Sequence, residues 1–241
     1  MIVLKVGGSA LTDKKTGRSF VDEVTTRVSR EISKSAELVI VTGAGYEGHR
    51  FAKRHKLRSL DRNQRNWARL RYIVGENSKK LVKKLIDRRL APMEISTIGL
   101  FITSGGHIKK FNSRFIYDYV KIGFIPVLHA DAPIDVKKGV SVLSGDAIAT
   151  EIAHSLRAKL LIYGSDVEGI YDKNGNLLKK VDQNNLESVH FWKVNDVSGG
   201  LMNKIKETRK LHGTKVVMIN LRKDGRLRDV MLGKRVGTII G

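Results

Sequence analysis

The stretch Ile2-Val3-Leu4-Lys5-Val6-Gly7-Gly8-Ser9 decides the fold, because it joins a buried strand directly to a glycine turn. Its aliphatic and β-branched residues predict a strand inside a sheet, interrupted only by Lys5. Glycines at the turn allow backbone N–H groups to converge on an anion with no Cβ in the way. Lys5 would then lie along the floor of the sheet beneath that anion. Taken alone, the stretch is more typical of an ordinary edge strand and turn, so later segments must decide.

Composition is typical of a globular protein without disulfide bonds. The 241 residues are enough for one large α/β domain or two small ones, and a hydrophobic content of 41% supports a substantial core. The absence of cysteine excludes disulfides and thiolate metal sites. No apolar run is long enough for a membrane span, and the first residues predict a strand rather than a secretion signal. We therefore expect a cytoplasmic protein.

The formal charge of +21 is concentrated in two segments. Residues 50–89 hold fifteen lysines and arginines against three acidic residues, and residues 204–235 hold eleven against three. Such segments could meet nucleic acid or an anionic membrane. Few aromatic residues accompany them, and no nucleic-acid motif does. Solvated helix faces that attract polyanionic substrates are the better explanation, so neither nucleic acid nor membrane is expected as a partner.

Strands and helices alternate along the chain, which predicts a mainly parallel sheet covered by helices on both faces. Ligands of such sheets collect at the carboxyl ends of strands, so the loops after residues 6, 42, 143, 163 and 197 should carry the chemistry. The second of these is a glycine-rich loop over residues 43–49. The patterns predict strands over residues 2–6, 37–42, 93–101, 124–129, 160–163, 216–219 and 236–240, a hairpin over 134–143, and helices over 21–32, 61–90, 115–122, 144–158 and 201–212.

Two lysines and one aspartate are candidates for work on a phosphoryl group. Transfer of such a group needs positioning and neutralisation of charge more than covalent chemistry. Lys5 and Lys204 could supply positive charge on either side of the moving group, while backbone amides surround the phosphates. Asp146, at the start of a predicted helix, is suited to hold both ammonium groups. By itself, Asp146 is better explained as an ordinary carboxylate favoured by the helix dipole.

Five segments together change this balance. In chain order they are Lys5-Val-Gly-Gly-Ser9, Gly43-Ala-Gly45, Ser144-Gly-Asp-Ala-Ile148, Ser165-Asp-Val-Glu-Gly-Ile170 and Asp196-Val-Ser-Gly-Gly-Leu-Met-Asn-Lys204. With these segments the sequence resembles the amino acid kinase family from residue 2 to residue 240. The resemblance implies one three-layer α/β/α sandwich over residues 1–241, with acceptor binding in about 1–140 and nucleotide binding in about 141–241. It also implies ATP, Mg²⁺ and a homodimer.

The resemblance assigns roles by matched position. Lys5 and Lys204 would stabilise the transferred phosphoryl group, with Asp146 organising them. The phosphates would be bound by Gly7, Gly8 and Ser9. The nucleotide side would hold Ser165, Asp166 and Gly169, and the backbone would approach the nucleotide at Gly199 and Gly200. No protein ligand for the metal is expected, because Mg²⁺ is usually held by nucleotide phosphates and water.

Within the family, the segment from residue 43 to 49 resembles the Gly-Gly-Gly-x-Phe-Gly-His pattern of isopentenyl phosphate kinases. The resemblance implies that the histidine, His49, hydrogen-bonds the phosphate of the acceptor and that Lys14 helps to grip the phosphates. A histidine suits this task because it donates a hydrogen bond and gains charge near neutral pH. The predicted acceptor site comprises Gly43, Ala44, Gly45, Gly48 and His49. An apolar tail pocket along the long basic helix is expected from Trp67, Ile73, Val74 and Ile86.

Three positions depart from the subgroup's pattern. Tyr46-Glu47 replaces the x-Phe pair, so Glu47 has to point to solvent or pair with Arg50 or Lys53 to avoid repelling a phosphate. Ala44 replaces a glycine, which requires a negative φ. Ala147 stands where the subgroup usually has a second acidic residue.

The leading hypothesis is an ATP-dependent kinase that phosphorylates isopentenyl phosphate. One alternative is a kinase of the same family acting on another small phosphate, phosphonate or carboxylate, such as uridylate, fosfomycin or acetylglutamate. A further alternative is a non-catalytic nucleotide or polyanion binder. The joint presence of Lys5, Asp146 and Lys204 counts against the binder, because binding alone does not need that arrangement.

Overall fold

A computed structural model describes residues 1–13, 17, 19–33, 36–57, 64–182, 189, 205 and 207–241. Its strands are β1 (Ile2–Val6), β2 (Leu38–Thr42), β3 (Pro92–Glu94), β4 (Phe101–Ser104), β5 (His107–Phe111), β6 (Ile125–His129), β7 (Ile134–Asp135), β8 (Gly139–Val140), β9 (Leu160–Ser165), β10 (Lys180–Val181), β11 (Lys215–Asn220) and β12 (Thr238–Ile240). Its helices are α1 (Gly8–Leu11), α2 (Val21–Glu31), α3 (Gly45–Arg54), α4 (Gln64–Asp87), α5 (Thr97–Leu100), α6 (Ser113–Lys121), α7 (Gly145–Ser155) and α8 (Arg226–Met231).

The main sheet has eight strands in the order β10-β12-β11-β9-β1-β2-β6-β3. All neighbouring pairs are parallel except β11 with β12. The first strand lies in the middle, with β2 on one side and β9 on the other. Strands β2, β6 and β3 lie on one side of β1. After α7 the chain enters β9, which pairs with β1 on its other side. Ligands of open parallel sheets bind at such a reversal, outside the carboxyl ends of the strands.

Two apolar clusters lie on opposite faces of this sheet, so the layers are helix, sheet and helix. One cluster contains Val3 and the buried apolar residues of α6 and α7, and the other contains Leu4, Val6, the buried apolar residues of α2, and Leu81 and Leu85 from the second half of α4. Because side chains alternate along a strand, Lys5 lies on the same face as Val3, which is the face covered by α7. The predicted α/β fold with a mainly parallel sheet and helices on both faces is confirmed.

A second sheet of four strands, in the order β5-β4-β7-β8, lies beside the main one. Here the predicted strand over residues 93–101 is wrong in part: β3 ends at Glu94, α5 follows, and β4 begins only at Phe101. The apolar run over residues 93–101 contributes its first part to the main sheet and its last residue to the second sheet. Ile95 still bonds β6 through the Val127 carbonyl at 2.9 Å, whereas Phe101 stacks on Phe111 across the β4–β5 pair with ring centroids 4.3 Å apart.

The predicted hairpin over residues 134–143 is confirmed as β7 and β8, and one buried carboxylate holds it together. Asp135 is 1% exposed, and its two oxygens accept five hydrogen bonds of 2.7–3.0 Å. The donors are the backbone amides of Gly105, Gly106, Lys137 and Lys138 and the hydroxyl of Ser141.

The glycine-rich segment over residues 43–49, predicted to be a loop, is a loop only at its start. Helix α3 begins at Gly45 and continues to Arg54. Glycine lowers helix propensity, which concealed this helix in the sequence. The other helices and strands predicted within the described residues agree with the structure to within a few residues. Of the helix predicted over 201–212, residues 205, 207 and 208 are helical and 209–212 are not, whereas 201–204 and 206 lie outside the described residues.

Candidate functional site

Glycines from three strand ends pack against one another at the carboxyl edge of the main sheet. A Cβ on Gly7 would lie 2.3 Å from the carbonyl oxygen of Gly164, and one on Gly8 would lie 2.9 Å from the backbone nitrogen of Gly45. A Cβ on Gly43 would lie 2.8 Å from the nitrogen of Gly8. Backbone therefore approaches backbone where β1, β2 and β9 end, and this close approach requires glycine.

A fourth glycine, Gly145, completes this arrangement and was missed as a site residue by the sequence analysis. A Cβ there would lie 3.2 Å from the Thr42 carbonyl oxygen, 3.4 Å from the Gly43 Cα and 3.6 Å from the Lys5 Cε. The absence of a side chain lets the first turn of α7 rest directly on the ends of β1 and β2. The sequence signal was present in the Ser144-Gly145-Asp146 segment, where only the aspartate had been singled out.

The structure brings Lys5 and Asp146 together, as predicted. The Nζ of Lys5 lies 2.7 Å from Oδ1 of Asp146, and their side chains are only 10% and 13% exposed. Asp146 occupies the first turn of α7, whose N-cap Ser144 accepts a hydrogen bond from the Ala147 amide at 3.1 Å. The amino end of a helix favours a negative charge. An ammonium group is thereby fixed next to the Gly7-Gly8 turn, 3.5 Å from the point that a Cβ on Gly7 would occupy.

A buried hydroxyl pair lies beneath this ion pair. The Tyr163 hydroxyl is 2.5 Å from the Thr150 hydroxyl, and Thr150 also donates to the Asp146 carbonyl oxygen at 2.8 Å. Burial raises the pKa of Tyr163 well above its usual range, and the Asp146 charge raises it further. Tyr163 therefore remains a neutral hydroxyl and supports the first turn of α7.

The acceptor segment has backbone angles that explain its sequence. Ala44 has a φ of −64°, which any residue adopts, so the exchange of glycine for alanine is accommodated. Gly45 has a φ of 68° and needs glycine. A Cβ on Gly48 would lie 2.9 Å from the Val74 Cγ2 atom, so this glycine lets α3 pack closely on α4. His49 lies in the second turn of α3 and is partly exposed.

Glu47 turns out to be paired with a basic residue of its own helix. The Nη2 atom of Arg50 lies 3.2 Å from Oε2 of Glu47, and both side chains are more than half exposed, at 62% and 60%. This is one of the two arrangements that the sequence allowed for a carboxylate near a phosphate site.

Behind α3 lies a separate apolar cluster of Leu57, Trp67, Leu70, Val74 and Ala130. Trp67 and Val74 are 5% and 3% exposed. Ile86 does not belong there, because it is 57% exposed and lies twelve residues after Val74 along α4, a distance of about 18 Å. Its predicted place in a tail pocket is wrong: the buried stripe of α4 continues through Leu81 and Leu85, and Ile86 lies about 100° around the helix from Leu85.

The last residue of β9 meets the glycine turn through a pair of serine hydroxyls. The hydroxyl oxygens of Ser9 and Ser165 are 3.3 Å apart, and Ser165 donates to Oδ1 of Asp166 at 3.1 Å. Gly169 is required by packing, since a Cβ there would lie 2.3 Å from the Thr238 hydroxyl oxygen. Its place beside a nucleotide stays a prediction. Lys14, Gly199, Gly200 and Lys204, also predicted as site residues, lie outside the described residues.

A second buried carboxylate, Asp131, was not singled out from the sequence. Its side chain is fully buried, accepts a hydrogen bond from the Ala132 amide at 2.9 Å and lies 3.4 Å from Nε of Arg71 on α4. Burial raises the pKa of Asp131, although His129, the Ala132 amide and Arg71 oppose the rise. Asp131 also pairs through its backbone with Leu143, so it supports the segment that leads to Asp146.

The described part of the chain contains neither a membrane-spanning helix nor a metal-binding cluster. No helix there is both long and apolar enough to cross a membrane. No group of three or more histidine or acidic side chains there could hold a metal ion.

Comparison with known proteins shows the family and the fold of this chain. The model of the amino acid kinase family matches residues 1–220, so the chain belongs to that family. Among its relatives, isopentenyl phosphate kinase of Methanothermobacter thermautotrophicus is 30% identical, covering 98% of this chain and 97% of the relative. The isopentenyl phosphate kinase of Methanocaldococcus jannaschii is 28% identical, covering 100% and 98%.

A solved structure of an isopentenyl phosphate kinase superposes with a TM-score of 0.83 over the full length of both chains, at 24% identity. At that identity the superposition shows the fold alone. The resemblance inferred from five short segments is thus confirmed at the level of family and fold.

Proposed function

We propose that this protein transfers the terminal phosphoryl group of ATP to isopentenyl phosphate, forming isopentenyl diphosphate. The observation that carries the proposal is the Lys5 ammonium, fixed 2.7 Å from Asp146 beside the Gly7-Gly8 turn. The family match and the two full-length relatives named as isopentenyl phosphate kinases support the reaction and the acceptor.

The described residues fit a bound triphosphate. At the ends of β1, β2 and β9 the glycines have no side chains, so the backbone itself forms this part of the surface. The amides at the amino end of α1 have no acceptor within that helix and can bind an anion. Lys5 would neutralise charge that develops on the transferred group, and Asp146 would hold the ammonium in place. Preorganised charges of this kind are a main source of catalysis when a reaction needs little covalent chemistry.

No general base is needed on the acceptor side. A phosphate oxygen of isopentenyl phosphate is already ionised at neutral pH, so the protein has only to orient it in line with the transferred group. We assign this orientation to His49 and the backbone of the Gly43–Gly45 segment. The family resemblance implies that Lys14 helps to grip the phosphates and that Lys204 stabilises the transferred group together with Lys5. The apolar cluster around Trp67 and Val74 lies next to α3, where the hydrocarbon tail would be received.

Mg²⁺ would be held by the phosphate oxygens of the nucleotide and by water, and would supply further neutralisation of charge. The resemblance also leads us to propose a cytoplasmic homodimer that serves isoprenoid biosynthesis.

The test is an ADP-release assay with Mg·ATP and four acceptors, namely isopentenyl phosphate, uridylate, acetylglutamate and fosfomycin. We expect turnover with isopentenyl phosphate to exceed that with every other acceptor. Faster turnover with another acceptor would mean that the Tyr46-Glu47 segment serves a different substrate. Absence of turnover with all four would contradict the proposed function.

A further inference from the structure

Arg222 contacts the glycine turn from a distant part of the chain. Its Nη2 donates to the Ser9 carbonyl oxygen at 2.6 Å, and its Nε donates to the Ala10 carbonyl oxygen at 3.0 Å. Its guanidinium also stacks on the ring of Phe20, with the central carbon 4.0 Å from the ring centroid. All three contacts converge on α1 and the residue that precedes α2.

Helix α1 depends on such contacts because it has only four residues. Isolated helices of this length do not form, because ordering the backbone of the first turn costs more free energy than one turn of hydrogen bonds contributes. The carbonyl groups of its last turn also lack partners within the helix. The Thr12 amide bonds the Gly8 carbonyl, and the Phe20 amide bonds the Leu11 carbonyl. The carbonyls of Ser9 and Ala10 lie between these two, and both accept hydrogen bonds from Arg222.

Arg222 is itself held in place. Its backbone amide donates to the side-chain oxygen of Asn220 at 2.9 Å, and the Leu221 amide donates to the Ser165 carbonyl oxygen at 2.9 Å. The Leu221 side chain fills the space that Gly164 leaves open, where a Cβ would lie 2.0 Å from Leu221 Cδ1. The end of β11 is thus fixed to the end of β9, and Arg222 extends from there to α1.

We propose that Arg222 is a positioning residue for nucleotide binding: it fixes α1, and thereby the Gly7-Gly8-Ser9 turn, in the orientation that receives the phosphates. Its guanidinium bonds are directed to carbonyl oxygens, so its action is through the turn. The inference rests on the nucleotide site of the proposed function but not on the identity of the acceptor.

The test is the dissociation constant of Mg·ATP measured by calorimetry without an acceptor, in the wild type and in Arg222→Gln. We expect a rise of about tenfold or more, because small misplacements of a binding group have large effects. The matched control is Arg27→Gln. Arg27 donates to the Leu221 carbonyl oxygen at 3.0 Å from α2 and is 22% exposed, so its loss removes a hydrogen bond to the same segment without touching α1.

If Arg222 had a purely structural role, both variants would have a lower thermal midpoint, and both would bind Mg·ATP with the same affinity as each other. The proposal predicts that only Arg222→Gln loses affinity, and that amide hydrogen exchange over residues 8–12 becomes faster in that variant but not in Arg27→Gln. Equal nucleotide affinity of Arg222→Gln and the wild type would overturn it.

Two milder variants keep the test decisive where Arg222→Gln does not fold. Arg222→Lys keeps the charge but loses the planar guanidinium that binds the two carbonyls and stacks on Phe20, and Phe20→Leu removes only the stacked ring, so each should weaken Mg·ATP binding several-fold. Unchanged affinity in both would also overturn the proposal. If the wild type itself does not bind Mg·ATP, the proposed function fails first; if it binds but transfers to no acceptor, the comparison of variants still decides the role of Arg222.

Discussion

A lysine inside a buried strand requires a counter-charge whose position is fixed, and the first turn of α7 provides one for Lys5. Residue alternation places the lysine on the α7 face, Gly145 lets the helix approach, and Ser144 caps its amino end. The resulting ion pair is rigid and mostly shielded from water, with its side chains 10% and 13% exposed. Such a charge needs little reorganisation when a phosphoryl group passes over it.

Replacing Lys5 with alanine should therefore lower turnover by about 100-fold to 1000-fold, the usual effect of removing one preorganised group that acts in the transition state. The Michaelis constants should change much less. Steady-state kinetics with varied ATP and isopentenyl phosphate measure both, with Lys110→Ala on the exposed strand β5 as the control. A raised Michaelis constant with unchanged turnover would not fit the role given to Lys5.

His49 should affect the acceptor and not the nucleotide. Loss of a hydrogen bond to a charged group is worth about 1.5–3 kcal/mol. His49→Ala should accordingly raise the Michaelis constant for isopentenyl phosphate by roughly tenfold to a hundredfold, since each 1.4 kcal/mol is a factor of ten. The constant for ATP should stay the same, as should both constants in the control His154→Ala, an exposed position on α7. An unchanged acceptor constant would remove His49 from the site.

At the scale of elements, three helices end in the same strained way. Lys56, Arg89 and Arg157 have φ of 50°, 58° and 47°, in the left-handed region that favours glycine. Each is followed by an amide that bonds back five residues: Leu57 to Ala52, Leu90 to Leu85 and Ala158 to Ala153. A basic side chain thus stands where helix ends usually have glycine.

Glycine at these positions should stabilise the protein. The left-handed conformation costs other residues about 1–2 kcal/mol, which exceeds the roughly 0.4–1 kcal/mol of added freedom in the unfolded chain. We expect Arg89→Gly to raise the free energy of unfolding, measured in urea, by about 0.5–1 kcal/mol. The control Lys80→Gly, inside α4, should lower it by about 1 kcal/mol. A loss of stability in Arg89→Gly would contradict the assigned conformation.

The β7–β8 hairpin should make stability depend on pH through Asp135. Burial opposes its charge, but the amides of Gly106, Lys137, Gly105 and Lys138 together hold the pKa of Asp135 well below its usual range. A group whose pKa is lowered on folding stabilises above its unfolded pKa, about 3.9, and this contribution is lost as the pH falls below that value.

Asp135→Asn should accordingly unfold at lower urea concentration than the wild type at pH 7. The difference should narrow as the pH is lowered from about 4 toward 3, because Asp135 of the unfolded wild type then binds a proton that the folded form does not bind, which stabilises the unfolded state. Urea titrations over this range measure it. A difference that stays constant with pH would show that the charge of Asp135 does not hold the hairpin.

At the scale of the whole molecule, the sequence predicted most where the signal is local. The first strand, its glycine turn and the Ser144-Gly145-Asp146 segment were recognisable from short runs of residues, and the Lys5–Asp146 pair followed from their order. The start of α3 was not, because glycines within the segment mask the helix. The Arg222 contact was not predictable either. Arg222 is separated from Ala10 by 212 positions and from Ser9 by 213, so the contact leaves no local pattern in the sequence.

The most direct test of the account is to identify the product by phosphorus NMR after incubation with Mg·ATP and isopentenyl phosphate. We predict two new signals, each split by coupling between bonded phosphates, which appear together with ADP and do so far more slowly with Lys5→Ala. ADP accompanied only by inorganic phosphate, or no loss of isopentenyl phosphate while another acceptor is consumed, would contradict it.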